Sequence, residues 1–291
     1  MWRRAVLFST TAILALAVAA ATLAQQPAEW TEPFPPFRIA GNLYYVGSRG
    51  LASYLIATPE GNILINSSFD ANVPMIKTSI EKLGFKFSDT KILLISHAHG
   101  DHDAGSAMIK ESTGATYMVM DGDVPSVESG GKIDPVHGVR ASASYTPTKV
   151  DRVLHDRDTV KLGGTVLVAH LTPGHTKGCT TWTMRVKEGS KTYNVVIIGS
   201  PNVNQGYKLV NNPAYPRIAQ DYERMWRVLK SLPCDIFLGA HGDYFGLEEK
   251  YPRLKEGSAN PFIDPDGYKK YVAEKEKAFY TELAKQKAAG D

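Results

Sequence analysis

Residues 96–102 read Ser-His-Ala-His-Gly-Asp-His, so that three of the eight histidines in the chain fall with an aspartate inside six positions. Random placement of so few histidines would produce this on the order of once in a thousand chains or less. Imidazole and carboxylate together are ligands of zinc and its neighbours, whereas a purely structural zinc site draws more often on cysteine. A solvated polar turn rarely concentrates histidine, and His97, His99, Asp101 and His102 are therefore candidate metal ligands. This cluster cannot by itself saturate two metals. Two further histidines sit where a strand gives out, His175 in Thr172-Pro173-Gly174-His175-Thr176 and His241 in Gly239-Ala240-His241-Gly242. Glycines beside each let the backbone come close to a neighbour. His137, His155 and His170 match no such pattern and read as surface or hydrogen-bonded imidazoles.

These side chains need a scaffold that brings distant segments together. The run 91–95, Lys-Ile-Leu-Leu-Ile, is too short for a buried helix and reads as a buried strand. On extended backbone His97 and His99 project to one side, and a turn at Gly100 starts a helix over 103–110 with Asp101 and His102 facing the same pocket. Upstream, strands over 43–46, 52–57 and 62–65 alternate with turn residues, an antiparallel signature. A helix over 71–83 follows, with Val73, Ile76, Ile80 and Leu83 three or four apart and Gly84 after its end. The helix after the cluster runs to about residue 113, and a strand covers 116–120. Residues 121–148 are rich in Gly, Ser, Pro and Asp without a period, which suits surface structure bordering an active site.

A second series starts near Val150, with strands over 159–162, 165–171, 180–186 and 194–198, a helix over 218–232 and a strand over 235–238. Asp264-Pro265 opens a last helix, an acceptor at the cap and proline in the first turn, with Tyr268, Val272, Phe279 and Leu283 as its apolar stripe. The order of strands and helices thus occurs roughly twice, over 37–148 and 149–291. The economical arrangement is an α/β four-layer αβ/βα sandwich, two sheets covered outside by helices, with the site at the edge between the two sheets.

Residues 1–24 start with Met1-Trp2-Arg3-Arg4, continue apolar, and carry small residues at Ala21 and Ala24. This is the pattern of a cleaved secretory signal peptide; the length of the apolar run also allows an uncleaved membrane anchor. Cleavage leaves a domain over 25–291, enough for one large core, and lowers the formal net charge from +3 to +1 as Arg3 and Arg4 leave. That balance makes no electrostatic case for nucleic acid. Cys179 and Cys234 could pair in an oxidising compartment or remain free buried thiols.

Ser-His97-x-His99-x-Asp101-His102, Thr-Pro-Gly-His175-Thr and Gly-Ala-His241 resemble the sequential metal motifs of the metallo-β-lactamase superfamily. The resemblance implies two Zn2+ per chain, one on His97, His99 and His175 and one on Asp101, His102 and His241. Glyoxalase-, lactonase- and nuclease-like members carry a bridging aspartate just after the strand equivalent to 195–198, and two lactamase subclasses carry a cysteine nearby. Here that stretch reads Ile198-Gly199-Ser200-Pro201-Asn202. With residues 204–209, Tyr215-Pro216 and 232–235, it is similar to subclass B3. The resemblance implies hydrolysis of the β-lactam amide of penicillins, cephalosporins and carbapenems by a metal-bound hydroxide, and β-lactam resistance. Asp101 would both ligate and orient the nucleophile, and Ser200, Asn204 and Tyr207 would donate hydrogen bonds to the substrate carboxylate. A periplasmic monomer acting on a small molecule, without nucleic acid or stable membrane anchoring, is also implied. Subclass members often pair the cysteine equivalent to Cys234 with one near the C-terminal helix; Tyr268 occupies that place. A lactone or thioester hydrolase, and a non-catalytic zinc-binding envelope protein, are the other readings. The missing bridging aspartate counts against the first of these.

Overall fold

The computed structural model describes residues 26–134, 144–254 and 259–290. The expected signal peptide over 1–24 and His137 lie outside them. Seven strands pair in chain order in one sheet: β1 (Phe37–Ala40), β2 (Leu43–Tyr45), β3 (Tyr54–Thr58), β4 (Gly61–Ile65), β5 (Thr90–Leu94), β6 (Thr116–Met120) and β7 (Arg152–Leu154). β1 to β4 are antiparallel and β4 to β7 parallel. The parallel steps need crossovers, and helices α1 (Val73–Lys82), the short α2 (Gly100–Asp103), α3 (Ser106–Thr113) and α4 (Val124–Glu128) lie in them. The second sheet holds β8 (Thr159–Leu162), β9 (Thr165–Leu171), β10 (Thr180–Glu188), β11 (Lys191–Ile198) and β12 (Ile236–Gly239), antiparallel except for β11 with β12. Helices α5 (Ile218–Ser231), α6 (Leu247–Lys250) and α7 (Pro265–Ala289) complete the chain.

Side-chain alternation makes the layers. In the first sheet Ile63, Ile65, Ile92, Leu94, Met118 and Met120 join the core between the sheets. Their neighbours Leu64, Leu93, Tyr117 and Val119 turn the other way and meet Val73, Ile76 and Ile80 of α1 and Ile109 of α3. Both faces are covered, which is why these strands read as continuous apolar runs. The larger core continues through Trp182, Met184 and Val186 of β10 to Tyr222, Met225, Trp226 and Leu229 of α5 and Tyr268, Val272 and Phe279 of α7. Helix, sheet, sheet, helix is the expected sandwich. Asp264 caps α7 as anticipated, its Oδ1 accepting the Gly267 N–H at 2.8 Å.

The structure differs from the sequence reading at several points, among them the split of the helix after the cluster into α2 and α3 and the presence of α4 in the aperiodic segment. β7 opens the second series yet pairs with β6, so the chain passes between sheets after Leu154 and before Thr159. Its three residues are too short for a period to show which sheet they join. β5 ends at Leu94, so His97 and His99 stand on a bent loop and not on extended strand. β1 is an additional strand, tied by Arg38 to Glu188 of β10 at 2.9 Å. Both cysteines are free, and the Tyr268 hydroxyl is spent on the Leu229 carbonyl at 2.6 Å. Among the described residues no helix is long and apolar enough to cross a membrane.

Candidate metal centre

The histidine loop that follows β5 is held from both sheets. The Ser96 N–H donates to Asn66 Oδ1 at 2.8 Å, the Thr180 N–H to the Ser96 carbonyl at 2.8 Å, and the Trp182 indole N–H to the Ile95 carbonyl at 3.1 Å. The Ala98 N–H, between the two histidines, donates to Asp123 Oδ2 at 2.9 Å. The loop bends so that the rings of His97 and His99 stand 4.8 Å apart, a proximity produced by these anchors and not by strand pleat. At the start of α2 the His102 N–H donates to the His99 carbonyl at 2.9 Å, and the His102 carbonyl is held by the Ser67 N–H at 3.0 Å.

From the second sheet, β9 delivers His175 and β12 delivers His241. Gly174, at φ 130°, lets the first turn lie against Tyr222, where a Cβ would stand 2.7 Å from the ring. The Tyr222 hydroxyl donates to the Asn202 carbonyl at 2.6 Å, and the same carbonyl accepts His175 Nδ1 at 2.8 Å. His241 lies between the rings of Trp30 and Tyr244, at 5.4 and 5.0 Å.

The six side chains named from sequence converge at one end of the sheets as two trios. His99 Nε2 pairs with Asp134 Oδ2 at 3.0 Å and His175 Nδ1 with the Asn202 carbonyl, so these nitrogens carry the protons. The remaining pair, His99 Nδ1 and His175 Nε2, then face each other with lone pairs at 3.1 Å. Such a pair repels unless a cation, a proton or a metal ion, lies between. Two imidazole nitrogens on one tetrahedral zinc stand ~3.3 Å apart, so the spacing fits. His97 completes this group, its ligand atom within 4.8 Å of the other two. In the second trio His102 Nε2 is 3.1 Å from His241 Nε2 and 3.1 Å from Asp101 Oδ2, which is 3.6 Å from His241 Nε2. His97 also groups with Asp101 and His102, which places the trios side by side.

Electrostatics favour the ligating form at His97, His175, His241 and Asp101, whereas at His99 burial is outweighed by Asp134, whose carboxylate raises the imidazole. Burial, then the neighbouring imidazoles, push His97 well below the ordinary histidine range. Burial likewise lowers His175, and lowers His241 to about 3. Burial alone would raise the Asp101 carboxyl, but His102, His241 and His99 hold it far below the usual range. Neutral imidazoles and an ionised carboxylate are what a divalent cation requires.

Above the trios opens a cleft of about 1600 Å³ lined by His99, Asp101, His175, His241, Ser200 and Asn204 among others. Residues 131, 134, 144 and 145 form part of its wall, as the irregular segment suggested. Ser200 is buried, its Oγ 3.3 Å from the Tyr244 hydroxyl. Tyr207 lies behind His175: it is 2% exposed, does not line the cleft, and donates to the His175 carbonyl at 3.1 Å. His170 bonds the Thr183 hydroxyl at 2.8 Å, and His155 is exposed beside Asp158, the ordinary roles expected of them. Two carboxylates had no signal in sequence, Asp123 and Asp134, because their partners lie far along the chain.

A family model described as the metallo-beta-lactamase superfamily matches residues 48–187. The native FEZ-1 metallo-beta-lactamase from Legionella gormanii is 63% identical with a TM-score of 0.87, the match covering 88% of this chain and 98% of that one. The chain belongs to the metallo-β-lactamase superfamily. Within it, BJP-1, a subclass B3 enzyme of Bradyrhizobium japonicum, is 39% identical over 91% of this chain and 99% of its own, with a TM-score of 0.86. LRA-12, a class B3 di-zinc metallo-beta-lactamase from an Alaskan soil metagenome, is 38% identical over 88% and 97%, with a TM-score of 0.84. Those relatives place this superfamily member among subclass B3 structures across both sheets.

Proposed function

We propose that the chain is a zinc-dependent β-lactamase that opens the lactam amide of penicillins, cephalosporins and carbapenems. The observation that carries this reading is the convergence of two trios of metal-ligating side chains beneath the cleft, in a chain 63% identical to a named metallo-beta-lactamase. His97, His99 and His175 would hold one zinc, and Asp101, His102 and His241 the second. Zinc held there supplies a Lewis acid and makes water acidic enough to act as a nucleophile near neutral pH.

The protein's own part is to place the reactants. Asp101, kept ionised by the surrounding imidazoles, accepts a hydrogen bond from the attacking water and turns its lone pair toward the lactam carbonyl. Ser200 and Asn204, on the cleft wall, donate to the substrate carboxylate, while Tyr207 steadies the turn that carries His175. Ser200 in place of a bridging carboxylate disfavours lactone and thioester chemistry. Residues 1–24 would direct export to the periplasm and be removed, leaving 25–291 as a monomeric domain of two similar halves.

The test is hydrolysis of benzylpenicillin, a cephalosporin and imipenem, followed by loss of lactam absorbance with and without chelator, beside a homoserine lactone. Chelator-sensitive opening of the lactams alone is expected. Lactone turnover with inert lactams would overturn the reading, as would tight metal binding without turnover of either.

A further inference from the structure

Both loops that carry the three-histidine trio end on one buried carboxylate. Asp123 is 1% exposed. Its Oδ2 accepts the N–H of Ala98, between His97 and His99, at 2.9 Å, and the hydroxyl of Thr176, next to His175, at 2.8 Å. Its Oδ1 accepts the Gly178 N–H at 2.7 Å. Two glycines make the approach possible. A Cβ at Gly178 would stand 2.4 Å from the Asp123 nitrogen, and one at Gly122 would stand 2.4 Å from the Lys177 carbonyl oxygen.

We infer that Asp123 is a positioning residue, a carboxylate clamp that sets His97 and His99 against His175 and so tunes the three-histidine site selectively. Three donors converge on it, and only a carboxylate offers an acceptor oxygen in both directions; an amide would turn its NH2 toward a donor. The second trio shares one tie with the histidine loop, the His102 N–H on the His99 carbonyl at 2.9 Å, and has further anchors of its own. Ser67 holds the His102 carbonyl, and the residues flanking His241 are fixed by Ala52 N–H to the Ala240 carbonyl at 2.9 Å and Gly242 N–H to the Gly50 carbonyl at 3.0 Å. Displacing the clamp therefore moves the three-histidine trio more than the other. This inference rests on the reading of the trios as metal sites.

The experiment titrates the metal-free wild-type chain and Asp123→Asn with Co2+, read by visible absorption, and with Zn2+ against a chromophoric chelator. His97→Ala and His241→Ala assign the two sites. In Asp123→Asn the three-histidine site is expected to weaken about 10–100-fold, with the other site within ~3-fold of wild type. The rise in Tm on adding zinc is expected to shrink as well. A purely structural role would lower the metal-free Tm and leave both affinities intact, and that result overturns the clamp, as does equal weakening of both sites. Should Asp123→Asn fail to fold, Thr176→Val removes a single donor. A selective shift of ~3-fold or more at the same site then supports the clamp, and no shift overturns it. A wild-type chain that takes up no metal overturns the metal-site reading itself, a result distinct from two filled sites that ignore Asp123.

Discussion

A histidine gives a metal one nitrogen, and what holds the other nitrogen decides which one it is. The Asn202 carbonyl takes Nδ1 of His175 and Asp134 takes Nε2 of His99, so the two rings present different atoms to the same point. Assignment of ligands to trios makes separable demands on single residues. His102→Ala or His241→Ala is expected to empty the second site and leave the first filled, as elemental analysis of dialysed protein would show; equal loss of both metals would contradict the assignment. Substrate contacts separate in a similar way. Asn204 lines the cleft, whereas the Tyr207 hydroxyl is spent on the His175 carbonyl. Asn204→Ala is expected to raise KM for a lactam several-fold, by roughly the ~1 kcal/mol of one hydrogen bond, with Tyr207→Phe leaving KM within about 2-fold. The opposite order of effects in steady-state kinetics would put Tyr207 on the substrate.

Elements position the trios by reaching across the sheets. Trp182 of β10 is 1% exposed in the core and donates to the Ile95 carbonyl just before the histidine loop. Trp182→Phe leaves that carbonyl without its donor and opens a cavity, at an expected cost of ~1–3 kcal/mol in urea unfolding. At the far side, the Asp264 cap of α7 pairs with Lys250 at 2.7 Å. Burial alone would raise this carboxyl, but Lys250 and the Gly267 N–H hold it below the usual range. A carboxyl depressed in the folded state contributes stability above its unfolded value of ~3.9 and loses it as pH falls through the folded value. Asp264→Ala should therefore cost about 1 kcal/mol at neutral pH, with the gap to wild type closing between roughly pH 5 and 3 in the metal-free chain. A gap independent of pH would remove the charge from this account. Elements with a long period or a chemical stop were legible from the residues alone: β6, β8 and β9 fall where apolar runs and turns put them, and Asp264-Pro265 marked α7. β7 had no reading of its own in sequence, because three residues are too few for a period and their pairing is decided by the partner strand.

At the scale of the whole molecule, the site exists only where the halves meet. The loop 96–102 comes from the first sheet and His175 and His241 from the second, so no half holds a complete trio. That these six side chains meet was legible, because histidines and an aspartate beside glycines at strand exits leave a local mark. Asp123 and Asp134 left none. Each is one carboxylate in an aperiodic segment, and what makes it matter is a contact formed only after folding, with Thr176 and Gly178 in the first case and His99 in the second. The same dependence couples metal to fold: zinc bound across the halves should raise Tm on addition to the metal-free chain. The most direct measurement is imipenem hydrolysis by that metal-free chain as Zn2+ is added in steps. We predict negligible turnover without metal and a rate that climbs to a plateau as both trios fill. Turnover indifferent to chelation, or a fully zinc-loaded chain that leaves imipenem, penicillin and cephalosporin intact, would contradict the account.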